Sequence, residues 1–190
     1  MGMTIRIALL RGINVGGKNK IKMADLKHAL TEQGFNEVQT YIQSGNILFA
    51  SEEEEGTLGL RMEEVIRRDF HLDIPVVLRT AAELRATMEN CPFTAEEIAA
   101  AEAASVGESL YVAFLRSEPA AEALERFAAY ANEQELFRAS GREVYLLFKE
   151  SVRNSKLAAN LQKLDAYATV RNWKTVSKLV SLAEGMETPK

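Results

Sequence analysis

The residues with the greatest capacity for chemistry lie near the start of the chain, in Arg11-Gly12-Ile13-Asn14-Val15-Gly16-Gly17-Lys18-Asn19-Lys20. Three glycines here let backbone N–H groups come close to a ligand, and successive amides of this kind form nests that hold anions. Arg11 and Lys18 add positive charge. The spacing is not that of a Walker loop, because Gly17-Lys18 is followed by Asn19 rather than Ser or Thr. Nor does it fit Gly-x-Gly-x-x-Gly. Strand-to-helix connections usually take roughly two to six residues, and longer ones tend to be functional or disordered. Arg11, Asn14, Gly16, Gly17 and Lys18 are therefore expected to bind a small anion, against the plainer reading of a surface connection.

Three further polar motifs stand at element ends, where sites are commonly built. Gln43-Ser44-Gly45-Asn46 reads as a hairpin turn whose side chains satisfy its own backbone. It is expected at the opposite end of the sheet from the exit of the first strand, so the glycine loop reaches it only by folding back. Ser151-Val152-Arg153-Asn154-Ser155-Lys156 reads as a helix start, with Ser151 or Asn154 as N-cap and Arg153 and Lys156 near an anion-attracting terminus. In Thr169–Val176 a strand passes into a helix. There Arg171, Lys174 and Lys178 fall at i, i+3 and i+7 as a basic stripe, while Trp173, Val176 and Val180 form the buried side. Arg153, Asn154, Arg171 and Asn172 join the expected anion site from the second half of the chain, with guanidinium groups clamping oxyanions bidentately. His28 and His71 have no Ser, Cys or Asp at a triad spacing. The one cysteine, Cys91, makes no intrachain disulfide, and no ligand spacing suggests a metal. No metal and no cofactor is expected, no catalytic residue stands out, and whether the chain is an enzyme is left open.

The elements that must position these residues follow from periodicity. Thr4–Leu10 is a strand. Met23–Gln33 is a helix, with Met23, Leu26 and Leu30 on one face and Gly34 as its stop. Glu37–Gln43 and Asn46–Ala50 form a hairpin across Ser44-Gly45, Thr57–His71 a helix, and Pro75–Arg79 a strand. The order recurs in Ser109–Leu115 (strand), Pro119–Ala131 (helix), Gln134–Ala139 with Glu143–Lys149 (hairpin across Ser140-Gly141), Arg153–Leu164 (helix) and Ala166–Val170 (strand). Helices Ala81–Asn90, Ala95–Ala104 and Asn172–Ala183 are additions. The expected fold is α+β, with two ferredoxin-like βαββαβ halves related by internal duplication. The halves are 1–80 and 108–190, joined by a helical linker at 81–107; a single unrelated α+β domain is the alternative. Both faces of the strands are largely apolar, as in Ile5, Ile7 and Leu9 against Ala8 and Leu10. The second face is expected to be covered by the other half, by the added helices or by a partner subunit, rather than open as an RNA platform.

The composition excludes other classes. The 190 residues are 47% hydrophobic and 26% charged, which is ordinary for a packed globular chain. No run of about 18 apolar residues exists, so no membrane span is expected. The N-terminus lacks a leader pattern, so the cytoplasm is the expected location. The net charge of -4 argues against general nucleic-acid binding. That charge is uneven. Residues 4–22 carry +5, residues 151–181 carry +5, and the rest must carry -14 to give the total of -4. Two basic segments on an acidic body favour a local site for a small anionic ligand. The other readings are a homodimeric interaction scaffold, or an enzyme for a phosphorylated or carboxylated metabolite.

The ordered motifs Leu9–Gly17, Met23-Ala24-Asp25-Leu26, Tyr41–Asn46, Asn154-Ser155-Lys156-Leu157 and Thr169–Val176 closely resemble those of domain of unknown function family 1697. The resemblance runs from the first strand to the final helix, with departures at Val170 and Lys174. It implies a bacterial, soluble α+β protein with two ferredoxin-like halves, and it implies no particular activity.

Overall fold

A computed structural model describes residues 2–188. The chain divides into two compact units, Met1–Arg85 with Lys178–Lys190, and Ala86–Ser177. Each contains a four-stranded antiparallel sheet, so the fold is α+β.

In the first unit the order is β1 (Thr4–Leu10), α1 (Met23–Glu32), β2 (Asn36–Tyr41), β3 (Asn46–Ser51), α2 (Glu55–Phe70), β4 (Val76–Thr80) and the start of α3 (Ala81–Glu89). The sheet order is β2-β3-β1-β4. Period-two alternation in β1 sends Ala8 and Leu10 into a core with Ile47, Phe49, Leu78 and the helix residues Leu26, Leu30, Met62 and Ile66. Each large aliphatic side chain buried there contributes roughly 2 kcal/mol. Phe35 and Phe49 meet edge to face at 5.2 Å. Gly34, at φ 89°, ends α1 as its position after the apolar stripe predicts, and His71 ends α2 at φ 58°, donating its N–H to the Arg67 carbonyl. On the other face Ile7, Leu9, Leu48 and Val77 are all fully buried. This face is therefore no open platform for stacking bases.

The second unit holds α4 (Ala95–Ala104), β5 (Leu110–Phe114), α5 (Ala121–Phe127), β6 (Glu135–Ser140), β7 (Glu143–Phe148), α6 (Lys156–Ala159), β8 (Thr169–Asn172) and the first residues of α7 (Trp173–Glu187). Its sheet order, β6-β7-β5-β8, matches the first, strand for strand. Ala113, Val144, Leu146 and Phe148 meet Phe127, Leu157 and Leu161 in its core.

The structure departs from the sequence reading in several places. The helix expected over Arg153–Leu164 is three short turns: a 3-10 turn at Val152–Asn154, α6, and a 3-10 turn at Leu161–Lys163. The Ser155 hydroxyl accepts from Ala158 N, and Asn160 Nδ2 donates to the Lys156 carbonyl. Short polar side chains that engage the backbone locally compete with a continuous helix. The cap of α6 is thus Ser155, not Asn154, while Ser151 caps the first 3-10 turn. The helix expected over Pro119–Ala131 is α5 followed by a 3-10 turn at Ala128–Tyr130. The first hairpin loop is four residues, Ile42–Gly45, and the second is Gly141-Arg142, since Ser140 still pairs with Glu143. Arg171 lies in β8, so it shares no helical stripe with Lys174 and Lys178. Among the described residues no helix is long and apolar enough to cross a membrane.

Candidate functional site

The glycine loop leaves β1 from a fixed point. Leu10 N–H donates to the Gly45 carbonyl at 2.9 Å and Arg11 N–H to the Pro75 carbonyl at 3.1 Å, extending the ladder on both sides. The hairpin between β2 and β3 lies at this same end, because β1 and β3 are antiparallel and Leu9 pairs with Asn46. The expectation that the two motifs sit at opposite ends is therefore wrong. A strand that runs up beside an antiparallel neighbour exits where that neighbour begins.

Asn14 ties the loop to the hairpin. Its Nδ2 donates to the carbonyls of Ile21 (3.0 Å) and Gln43 (2.9 Å), and its Oδ1 accepts from Ile21 N (2.9 Å). Asn14 N–H donates to the Asn19 carbonyl, and Asn19 Nδ2 to the Gly12 carbonyl. Asn14 and Asn19 hold φ 54° and 50°, a region Asn tolerates better than most side chains. Between them, Val15–Lys18 is a tight turn closed by Lys18 N–H to the Val15 carbonyl at 3.0 Å. Its central residues, Gly16 and Gly17, take φ 57° and 74°. Both are exposed, and among the described residues their amides donate to no protein group.

Charge gathers around this turn. Lys18, Lys20 and Lys22 are exposed and Arg11 half-buried. Lys22 is also the N-cap of α1 and supplies no side-chain cap. A cation at a helix N-terminus opposes the helix dipole, typically by 0.3–1 kcal/mol. An anion bound there would reverse that sign.

Two apolar residues flank the Asn14–Gln43 bond. Val15 is 65% exposed and Ile42 is 47% exposed. Ile42 also sits at φ 50°. That conformation is an outlier for a β-branched residue and costs on the order of 1–3 kcal/mol. Nothing in the sequence around Ile42 signals it. Gly45 shows the opposite constraint: it is buried at φ 87°, and a Cβ there would fall 2.6 Å from Ile13 Cδ1 and 2.8 Å from Leu10 Cβ.

The second-half candidates have different settings. Arg153 and Asn154 are exposed after β7, and Asn154 lines a groove with Glu133, Glu135 and Glu150. Arg171 is buried, its Nη1 donates to the Val170 carbonyl, and burial pushes its guanidinium down to about 10, still charged at neutral pH. Asn172 Oδ1 accepts from Thr175 N at 2.8 Å and so caps α7. Arg79, which no motif singled out, mirrors Arg171. It is buried near the end of β4, its Nη1 donates to the Leu78 carbonyl, and Thr80 and Glu83 cap α3 reciprocally just after it. Setting Leu78-Arg79-Thr80 beside Val170-Arg171-Asn172 is the comparison that reveals it. Among the described residues, no cluster of His, Cys, Asp and Glu is arranged to hold a metal ion.

The conserved bacterial protein SP0830 from Streptococcus pneumoniae shares the fold, with a TM-score of 0.70 and 24% identity over 95% of this chain and 99% of that one. No curated protein matches. The family profile described as "Protein of unknown function (DUF1697)" matches residues 3–145, and the chain belongs to that family.

Proposed function

We propose that this protein binds a small anion of the phosphate type on the loop between β1 and α1. The observation that carries this is the Val15–Lys18 turn: two exposed glycine amides, with Lys18, Lys20 and Lys22 close by in sequence and no acidic residue from Thr4 to Lys22. Successive turn amides that donate to no protein group form a ready cradle for oxyanions. The Asn14 bonds hold that cradle in place, so little ordering entropy is lost on binding. Arg11 adds charge where the loop leaves β1. Arg153 and Asn154 remain accessible candidates, but the carboxylates beside Asn154 favour the loop. Arg171 and Asn172 serve the proposal less directly, since both already make structural bonds.

The scaffold under this reading is a duplicated ferredoxin-like unit in a cytoplasmic protein. Supporting it are the identical sheet orders and the paired buried arginines at the ends of β4 and β8. The free thiol of Cys91 suits a reducing compartment.

Thermal unfolding with inorganic phosphate and pyrophosphate tests the anion reading. A ligand at a hundred times its Kd adds about 2.7 kcal/mol of stability. The Lys18→Ala/Lys20→Ala variant should lose most of that shift while melting normally alone. An undiminished shift in the variant would remove the loop from the site.

A further inference from the structure

We infer that the anion this loop takes is a phosphate ester with an apolar or flat organic group, laid against Val15 and Ile42. This rests on the anion-binding reading above and goes beyond it. Among the described residues, the exposed large hydrophobics are few: Met3, Val15, Ile42, Leu60 and Val106. Two of those five lie one residue either side of a single hydrogen bond, Asn14 Nδ2 to the Gln43 carbonyl. That bond joins the cationic loop, which carries Val15, to the neighbouring hairpin, which carries Ile42. Ile42 is held at φ 50°, where Asn or Gly would sit more easily. A strained backbone that presents an aliphatic side chain to water gains nothing for folding, and it makes sense for a ligand that covers the side chain. The charge selects the occupant. Positive groups around free amides suit a phosphate, and the two aliphatic side chains suit the organic part that the phosphate carries.

Isothermal titration with inorganic phosphate, ribose 5-phosphate, adenosine monophosphate and octyl phosphate tests this. Covering roughly 60 Å² of apolar surface is worth about tenfold in affinity. Adenosine monophosphate or octyl phosphate should therefore bind about tenfold more tightly than ribose 5-phosphate, and the one that gains names the source as ring or chain. The Ile42→Asn variant, changed at an exposed hairpin position outside the loop and to a residue suited to φ 50°, should lose most of that gain and keep its affinity for inorganic phosphate. Equal binding of all three esters, or a gain that survives in the variant, overturns the inference and leaves the anion reading standing. Failure of inorganic phosphate and every ester to bind overturns both.

Discussion

Gly45 and Gly17 both hold positive φ, yet they answer to different forces. At Gly17 (φ 74°) a Cβ meets nothing within 4 Å, so only the backbone conformation demands glycine. At Gly45 (φ 87°) a Cβ also collides with Ile13 and Leu10. The expected outcome is that Gly17→Ala costs about 1–2 kcal/mol, the penalty of a left-handed L-residue. Gly45→Ala adds overpacking of about 1–3 kcal/mol. Denaturant unfolding of the two variants checks the order; equal losses would mean that Ile13 yields freely. Asn14 shows why residue identity mattered to the site. Its side chain makes both the loop-closing and the hairpin-bridging bonds, while its φ of 54° suits Asn. The sequence reading expects Asn14 at the anion site, and in the fold its side chain links the loop to Ile21 and to Gln43 of the hairpin.

At the scale of elements, helix α4 carries the clearest electrostatic signature. Thr94 and Glu97 form a capping box, and Arg138 reaches Glu97 with two bonds of 2.7 and 2.8 Å. The Arg138 guanidinium, with the Thr94 backbone N–H, lowers the Glu97 carboxyl from 4.5 to about 2. A carboxyl lowered on folding stabilises fully above its unfolded pKa and loses that contribution as pH falls through the folded one. The α4 cap should thus hold above pH 4.5 and loosen toward pH 2. Carboxyl NMR should place the Glu97 midpoint near 2, rising in Arg138→Ala; a midpoint near 4.5 in the parent protein would refute the pairing. The bounds of β1 and α4 were legible because unbroken periodicity or strong propensity runs to their ends. The region from Arg153 to Leu164 was not, because Ser155 and Asn160 take up backbone groups that a longer helix needs. The ends of the hairpins were misjudged by one or two residues, since polar turn residues tolerate several loop lengths. The bridge from Asn14 to Gln43 joins residues 29 apart, which no local pattern reports.

Across the whole molecule, charge and topology give the protein its character. The chain is acidic overall, with a net charge of -4, yet the sequence from Thr4 to Lys22 holds five cations and no acid. Antiparallel pairing of β1 with β3 brings that segment to the hairpin end of the first sheet. The sheet order β2-β3-β1-β4 of the first unit recurs as β6-β7-β5-β8 in the second, and the long glycine loop follows the first strand of the first unit. Under the proposed function, a cradle built on exposed cations acts locally against the acidic background, because charges at 0.1 M salt are screened over roughly 10 Å. The central claim, that anions bind at the Val15–Lys18 turn, is tested most directly by amide NMR during a titration with pyrophosphate. The account predicts the largest shifts at Gly16, Gly17 and Lys18, saturating together and shrinking as salt is raised. Saturable shifts centred elsewhere, with Gly16 and Gly17 unmoved, would contradict it.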